Sequence, residues 1–399
     1  MRILVVSLSY PPLNNPQSIR WRALSKLLAK QGIDLEVLSL KLPFADFIDV
    51  NSNFNIRRIY SPITCFLLKK FLLSGDRIKN SYLRVWLLKL YEIFSFGDAF
   101  IDWGIRTSYE LAKISNDYHR IIFSCEPHIA TLLPTFFVNN KKVILDLADP
   151  PIPNYFLGTP IFPFKQIYEI VFYLALKRAQ KVIFTGYGVK EFYEGKYPFL
   201  KGKSFVITQG FPKELYYYSL SKPQTSNNPP VLSFVGNFID NIREPTELIN
   251  AVSKLNIKFV YVGKIDRWSN FLKRKLGSRF IFLGRKSNEE ALKIQLNSDV
   301  LIYIGNKVPY QQSGKLYEYL GSNKPILAII QNKKDDAIRL IERFKCGIVC
   351  KNSEEEIFIS VKKILLNKHR FLNSRKDYLK LNYCWDTLAR KYKYILESP

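Results

Sequence analysis

Short apolar segments alternate with segments of helical periodicity along nearly the whole chain. The first are a strand at Ile3–Leu8, a helix at Ser18–Lys30 and a strand at Leu35–Leu40. This order is the start of a right-handed βαβ unit. Further strands are predicted in the first half at Ile56–Tyr60, Arg120–Ser124, Lys142–Leu147, Lys181–Thr185 and Ser204–Thr208. The alternation therefore predicts an α/β fold with a parallel sheet.

A change in composition divides the chain. Ser221–Pro230 is rich in Ser, Asn and Pro, as linkers are. A second βαβ series follows it, with strands predicted at Val231–Val235, Lys258–Val262, Arg279–Leu283, Val300–Ile304, Pro325–Ile330 and Gly347–Val349. Helices are predicted there at Pro245–Leu255, Asn288–Leu296, Lys315–Leu320 and Glu354–Leu366.

The length of 399 residues suits two α/β domains. We expect one domain over residues 1–211, with a basic and apolar helical insertion at about 63–100, and a second over residues 212–380. Two doubly wound parallel sheets carry loops at the carboxyl ends of their strands, and we expect these edges to face a central ligand-binding cleft.

The charge is strongly positive. Sixty Lys and Arg residues against 34 Asp and Glu residues give a formal net charge of +26, which favours phosphate-bearing partners. The basic residues are scattered, without zinc-finger spacing or an RNP-type segment, which argues against nucleic acid. Gly186-Tyr187-Gly188 follows a predicted strand, but Glu191 stands at the third glycine position, and there is no Walker A sequence. A dinucleotide-binding domain is therefore disfavoured.

The sequence also bears on location. The five scattered cysteines indicate reduced thiols, and the chain opens with a strand rather than a secretory signal. The longest apolar run, Ile170–Leu176, is far shorter than the roughly 20 residues that span a bilayer. We therefore expect a cytoplasmic location.

The stretch Phe66–Phe94 mixes apolar and basic residues, which suits an interfacial helix pair on an anionic inner membrane face. A helix pair packed on the sheet with a solvated basic edge fits equally well.

The most specific segment is Gln312–Leu327. A Ser-Gly turn, Ser313-Gly314, opens a predicted helix whose free backbone N–H groups and dipole suit a phosphate. Glu318 lies about one turn further in, and its carboxylate can accept two hydrogen bonds from vicinal hydroxyls. The alternative is a capped helix whose Glu318 and Lys315 face solvent.

This segment resembles the donor-binding helix of retaining glycosyltransferases of family 4, which have the GT-B fold. Other segments resemble that family in the same order: Tyr10-Pro11-Pro12 with Ser18 and Arg20, Cys125–His128, Asp146–Pro150, Phe234–Asn237 with Arg243, and Trp385 with the helix after it. The resemblance implies sugar transfer from a nucleotide-diphosphate sugar to a glycan or lipid-linked acceptor. It implies retention of configuration, no cofactor and no obligatory metal. It also implies that a C-terminal segment, at residues 381–399, crosses back to the first domain.

The resemblance implies roles for individual residues. Glu318 would bind the donor ribose, and Ser313, Gly314 and Lys315 would lie against the diphosphate. Arg243 would neutralise the departing nucleotide diphosphate, with a surface arginine as the alternative. The other implied site residues are Gly236 and Asn237 on the donor side, His128 at the transferred sugar, and Arg20, Asp149 and Tyr317 at the substrates. Each of His128, Asp149 and Arg20 also has an ordinary structural explanation: a lone histidine, a turn before Pro150, and an ion pair on the first helix.

Two departures from the family pattern stand out. Tyr310 replaces an acidic residue eight positions before Glu318, and Asn237 replaces one member of an Arg and Lys pair. We interpret them as divergence. The sequence thus favours a glycosyltransferase of cell-surface polysaccharide or lipid-linked glycan synthesis. A nucleotide-sugar epimerase of the same fold and a catalytically silent nucleotide- or carbohydrate-binding protein are the alternatives, and the donor, acceptor and linkage stay open.

Overall fold

The computed structural model describes residues 1–43, 53–73, 98, 100–126, 129–148, 164–221, 226–307, 313–372 and 377–398. They form two compact units. Unit 1 comprises Met1–Ile207 and Ala389–Pro399, and unit 2 comprises Thr208–Leu388.

Unit 1 is built on a parallel sheet of seven described strands in the order β3-β2-β1-β4-β5-β6-β7. The strands are β1 (Arg2–Ser7), β2 (Asp34–Lys41), β3 (Asn55–Tyr60), β4 (Arg120–Cys125), β5 (Val143–Leu147), β6 (Lys181–Phe184) and β7 (Ser204–Val206). The helices are α1 (Pro16–Lys30), α2 (Pro62–Leu73), α3 (Ile101–Ile114), α4 (Ile129–Leu132), α5 (Phe164–Arg178) and α6 (Tyr187–Lys196). The central strands are buried on both faces and are therefore mostly apolar, with Asp146 of β5 as a buried charged exception.

Unit 2 is built on a parallel sheet of six described strands in the order β10-β9-β8-β11-β12-β13. The strands are β8 (Val231–Val235), β9 (Lys258–Val262), β10 (Phe280–Phe282), β11 (Val300–Ile304), β12 (Ile326–Ile330) and β13 (Gly347–Lys351). The helices are α7 (Lys213–Ser221), α8 (Thr246–Ser253), α9 (Arg267–Leu276), α10 (Asn288–Leu296), α11 (Lys315–Gly321), α12 (Asp336–Phe344), α13 (Glu354–Leu366) and α14 (Trp385–Glu397), whose last turns lie in unit 1.

Helices cover both faces of the second sheet. Along β11, Val300 and Ile302 belong to an apolar cluster with α8, α9 and α13, whereas Leu301 and Tyr303 belong to a cluster with α7, α11 and α12. Alternate residues of a strand point to opposite faces, so the one strand contributes to both cores. The predicted fold class is confirmed: two doubly wound parallel-sheet units of the GT-B kind.

The C-terminal helix α14 is anchored in unit 1 by buried polar contacts. The Tyr392 hydroxyl donates to Asp146 Oδ2 at 3.0 Å, and the Tyr392 ring packs edge-on against Trp21 with centroids 5.6 Å apart. Lys181 Nζ donates to the carbonyl oxygen of Ile395 at 2.6 Å. Residues before Ala389 stay with unit 2, where the Trp385 N–H donates to the Phe211 carbonyl at 2.9 Å.

Replacing Tyr392 with phenylalanine should lower the free energy of unfolding by about 1–3 kcal/mol, because a buried carboxylate oxygen loses a donor that water cannot replace. A urea titration followed by circular dichroism measures the loss. Tyr394→Phe is the matched control, since that tyrosine of the same helix is 74% exposed. Equal stability of the two variants would show that the Asp146 contact contributes nothing.

The basic and apolar stretch is described only at its beginning. Residues 74–97 lie outside the described part of the chain. In α2, Cys65 and Leu67 are buried, whereas Phe66 is 63% exposed. Both predicted arrangements of the stretch stay predictions. Within the described residues, no helix has the length and apolar character needed to cross a bilayer.

Candidate functional site

The second sheet opens between β8 and β11, where its strand order reverses direction. These two strands pair only at Leu232 with Val300 and at Ser233 with Leu301, near their start. Beyond this point, the Val235 N–H donates to the Tyr319 hydroxyl at 3.1 Å instead of to the neighbouring strand. In open α/β sheets, ligands bind at the carboxyl edge at such a reversal. This edge of unit 2 is therefore the candidate site.

The loop after β8 lies close to the end of β9. Gly236 has φ +153°, a conformation that side-chain-bearing residues rarely adopt. A Cβ built on Gly263 would lie 2.1 Å from the Gly236 carbonyl oxygen, so this approach requires a glycine. The exposed Asn237 accepts a hydrogen bond through Oδ1 from the Lys264 N–H at 2.9 Å. The predicted donor-side residues Gly236 and Asn237 thus lie at the carboxyl edge of unit 2.

The loop then turns back and places Arg243 across the opening. Two backbone hydrogen bonds join Ile239 and Arg243, from Ile239 N–H at 3.1 Å and from Arg243 N–H at 2.7 Å. The guanidinium donates twice to Asn306 Oδ1, from Nε at 3.1 Å and from Nη2 at 2.7 Å. Asn306 follows β11 and is buried, with 5% of its surface exposed. The loops after β8 and β11 therefore fix the arginine together.

Arg243 keeps its positive charge without a carboxylate partner. Burial lowers the pKa of Arg243, and the charges of Tyr303, Tyr319 and Asp335 oppose this shift. An arginine nevertheless stays protonated in a protein. Among the described residues, no carboxylate lies within ion-pair distance of it, and its orienting partner Asn306 is a neutral amide. The arrangement can therefore attract an anion.

The nearby acid, Asp335, is engaged elsewhere. Its Oδ1 accepts from the Ala337 N–H at 2.9 Å and so caps α12. The Tyr303 hydroxyl lies 3.0 Å from Oδ2 and 3.1 Å from Oδ1. Burial raises the pKa of Asp335 above its ordinary value. Asp335 therefore serves the start of α12.

Glu318 lies in a buried polar network between α10 and α11. The residue is 7% exposed. Its carboxylate oxygen Oε2 accepts two hydrogen bonds, from Gln295 Nε2 at 2.9 Å and from Lys315 Nζ at 2.7 Å. Gln295 is fully buried and is itself held by the Ser322 hydroxyl, which donates to its Oε1 at 3.0 Å. Oε1 of Glu318 has no hydrogen-bond partner in the described part of the chain. This oxygen therefore keeps its capacity to accept a hydrogen bond.

The start of α11 differs in part from the prediction. The N–H groups of Leu316 and Tyr317 are not free, because they donate to the carbonyls of Ser313 and Gly314 at 3.2 Å each. Ser313, Gly314 and Lys315 are half-buried, and the Lys315 ammonium pairs with Glu318 instead of standing alone. The solvent-facing alternative for this Glu and Lys is wrong, since the carboxylate is buried.

Two predicted substrate contacts are buried. Arg20 has no exposed surface, and its Nη2 donates to Asp146 Oδ2 and to the Ile207 carbonyl, both at 3.0 Å. Tyr317 is 2% exposed and packs in the core of unit 2, with its ring centroid 5.5 Å from that of Tyr383. Side chains enclosed in this way do not reach a substrate, so Arg20 fits the ion-pair alternative. The predicted site residues His128 and Asp149 lie outside the described residues, as does Tyr310, which stands where the family pattern has an acidic residue.

Sequence reasoning missed the residues that hold the site together. Asn306, Gln295 and Tyr319 orient Arg243, Glu318 and the end of β8, respectively. The position of Asn306 in the sequence could have indicated its role, because a polar residue just after a buried parallel strand lies at the sheet edge where ligands bind. Gln295 and Tyr319 lie on helices, and no sequence pattern indicated their roles.

The fold is shared with solved structures of low sequence identity. No protein-family model and no curated protein sequence matches the chain. Sucrose-phosphate synthase from Thermosynechococcus elongatus is similar at a TM-score of 0.69 and 15% identity, over 99% of this chain and 98% of that one. HepE of Anabaena, solved with UDP and glucose, is similar at 0.66 and 14%, over 100% of both chains. A putative UDP-N-acetylglucosamine 2-epimerase from Listeria monocytogenes is similar at 0.58 and 12%, over 100% of this chain and 96% of that one. These likenesses establish the GT-B fold.

Proposed function

We propose that this protein is a glycosyltransferase that transfers a sugar from a nucleotide-diphosphate sugar to an acceptor. One observation carries the proposal. Arg243, held by the neutral Asn306, presents an unpaired positive charge where β8 and β11 separate. Such a fixed guanidinium suits the charge that grows on a departing diphosphate. The fold that this chain shares with sucrose-phosphate synthase and HepE supports the same assignment.

The finer parts of the proposal follow from the resemblance in the sequence. We propose retention of configuration, no obligatory metal, and a role in cell-surface polysaccharide or lipid-linked glycan synthesis. In this proposal Glu318 accepts a ribose hydroxyl at Oε1, and Ser313, Gly314 and Lys315 lie towards the diphosphate. His128 and Asp149 contact the transferred sugar and the acceptor.

A donor panel tests the reaction class. The full-length protein is incubated with UDP-, GDP-, ADP- and dTDP-linked sugars, with and without lipid-linked acceptors, and release of the nucleoside diphosphate is measured. A glycosyltransferase releases it in an acceptor-dependent manner, together with a glycosylated product. Absence of release from every donor and acceptor pair, in a preparation that binds a donor, would contradict the proposal.

The same assay separates the two alternatives. An epimerase of this fold would invert a sugar carbon without any acceptor, which nuclear magnetic resonance of the incubated UDP-N-acetylglucosamine detects. The similarity to the Listeria protein makes this the enzyme to test against. A silent binding protein would bind a donor in calorimetry and leave it unchanged.

Glu318→Gln should weaken donor binding about 10- to 150-fold, because a charge-assisted hydrogen bond contributes roughly 1.5–3 kcal/mol. Titration calorimetry with the donor found in the panel gives the affinity. Glu289→Gln, an exposed glutamate on α10, is the control for loss of one negative charge. Thermal melting checks the fold, since Glu318 also holds Lys315 and Gln295. Unchanged affinity in a folded Glu318→Gln protein would remove the ribose assignment.

A further inference from the structure

One edge of unit 2 carries a concentrated positive surface. Residues 254–286, which span β9, α9 and β10, contain ten Lys or Arg residues and one acidic residue, Asp266. Asp266 does not face outwards as a free charge, because it caps α9 by accepting from the Ser269 N–H at 2.9 Å. Seven of the ten cations are exposed: Lys254, Lys258, Arg267, Lys273, Arg274, Lys275 and Arg285. The surface is far more basic than the chain as a whole.

The outer face of α9 is the centre of this surface. The helix buries Ser269, Leu272 and Leu276 against the domain. Its other side forms a shallow depression lined by Arg267, Asn270, Lys273 and Arg274. We call this side, together with Lys275, the α9 basic face.

Apolar groups accompany the cations. Ile265, just before α9, is 64% exposed, and the half-buried rings of Trp268 and Phe271 lie beneath cationic groups. The guanidinium of Arg267 lies 4.6 Å from the centroid of the Trp268 ring, and Lys275 Nζ lies 5.7 Å from that of Phe271. Aromatic rings beside basic groups, with an exposed aliphatic side chain, suit a boundary between anionic headgroups and acyl chains.

The α9 basic face is held next to the candidate site. The Trp268 indole N–H donates to Asp240 Oδ1 at 2.9 Å, and Arg267 pairs with the same oxygen at 2.9 Å. Asp240 belongs to the turn that ends at Arg243. A surface bound to the basic face would therefore adjoin the loop that carries the arginine.

We infer that the α9 basic face docks unit 2 on an anionic lipid bilayer, with Ile265 entering the headgroup layer. This surface is distinct from the Phe66–Phe94 stretch, and the inference does not depend on the reaction that the protein catalyses. Charge complementarity supports an anionic partner. The exposed isoleucine favours a bilayer over nucleic acid, because a phosphate backbone offers no apolar phase to receive it.

The test is co-sedimentation of the full-length protein with phosphatidylcholine vesicles that contain or lack phosphatidylglycerol. In the first variant, Arg267, Lys273, Arg274 and Lys275 are all changed to glutamine. Each neutralised charge near an anionic surface lowers the partition coefficient about 5-fold, so the variant should lose more than about 100-fold. The matched control neutralises four exposed cations on α12 and α13: Arg339, Arg343, Lys362 and Lys363. Thermal melting confirms that both variants are folded.

A second variant tests the apolar part. Ile265→Ser should lower partition into anionic vesicles by several-fold, and it should leave binding to a soluble polyanion, heparin, unchanged. Three results would each overturn the inference: no binding of the wild type to anionic vesicles, an equal loss in the control variant, or an Ile265→Ser protein that binds vesicles as the wild type does. The last result, with retained heparin binding, would identify the face as a polyanion site.

Discussion

Replacing Arg243 with alanine should lower kcat for sugar transfer by about 100- to 1,000-fold, the loss seen when one fixed donor to a developing negative charge is removed. The effect should fall on turnover more than on the donor KM, because the charge on the diphosphate grows as the sugar departs. The structure supports such a role, since the guanidinium is oriented by two hydrogen bonds to Asn306 and has no carboxylate partner among the described residues.

Two further variants show whether the loss of kcat is specific to the charge and geometry of Arg243. Arg243→Lys should recover only part of the rate, because an ammonium keeps the charge but cannot make both contacts to Asn306 Oδ1 from a fixed planar group. Arg339→Ala removes a surface arginine whose side chain is 55% exposed, and it should leave kcat unchanged. Steady-state kinetics on the four proteins decides the matter. A higher KM at constant kcat in Arg243→Ala would mean that the arginine only binds the donor.

The strands of both sheets were predictable because a strand that is buried on two faces needs a short run of apolar residues. A central strand of a parallel sheet is apolar at most positions, as Val300–Ile304 is, and the loops on either side contain Gly, Pro or Asn. The prediction of thirteen strands is confirmed by the thirteen that the structure describes. Predicted and observed strand ends differ by two residues at most.

The helix α9 was not predicted, because its many charged residues masked the apolar ones. Only three of its ten residues are buried, and its sequence is dominated by Lys, Arg and Asn. Its apolar residues Trp268, Phe271, Leu272 and Leu276 nevertheless recur at helical spacing, which was one available signal. The capping box formed by Asp266 and Ser269 was another.

The site could be predicted in part only. The positions of Gly236 and Arg243 after a strand follow from the order of elements, and the motif around Glu318 indicated its helix. Burial could not be predicted in the same way. The sequence around Arg20 does not reveal that Asp146, 126 residues later, encloses it, because that pairing arises from the topology of the sheet.

Asn306 offers the sharper test of how Arg243 acts. Asn306→Asp changes one amide nitrogen to oxygen and keeps both acceptor contacts to the guanidinium. The new carboxylate would ionise beside the arginine, since an adjacent positive charge favours the charged form. The net charge of the pair would fall from +1 to about zero. If the free charge of Arg243 is what stabilises the departing diphosphate, kcat should fall by about 100-fold, nearly as far as in Arg243→Ala.

A control variant and a stability measurement distinguish the loss of kcat caused by charge neutralisation from one caused by lost positioning or a disrupted fold. Asn306→Ser loses the orienting contacts but keeps the charge, so it should lose only about 10-fold in kcat, the part due to positioning. Asn306→Asp should melt at the wild-type temperature or above it, because the arginine gains an ionic partner in place of a neutral one. Loss of turnover in a protein that is no less stable cannot come from a disrupted fold. Wild-type turnover in Asn306→Asp would show instead that the charge of Arg243 is not used in the reaction.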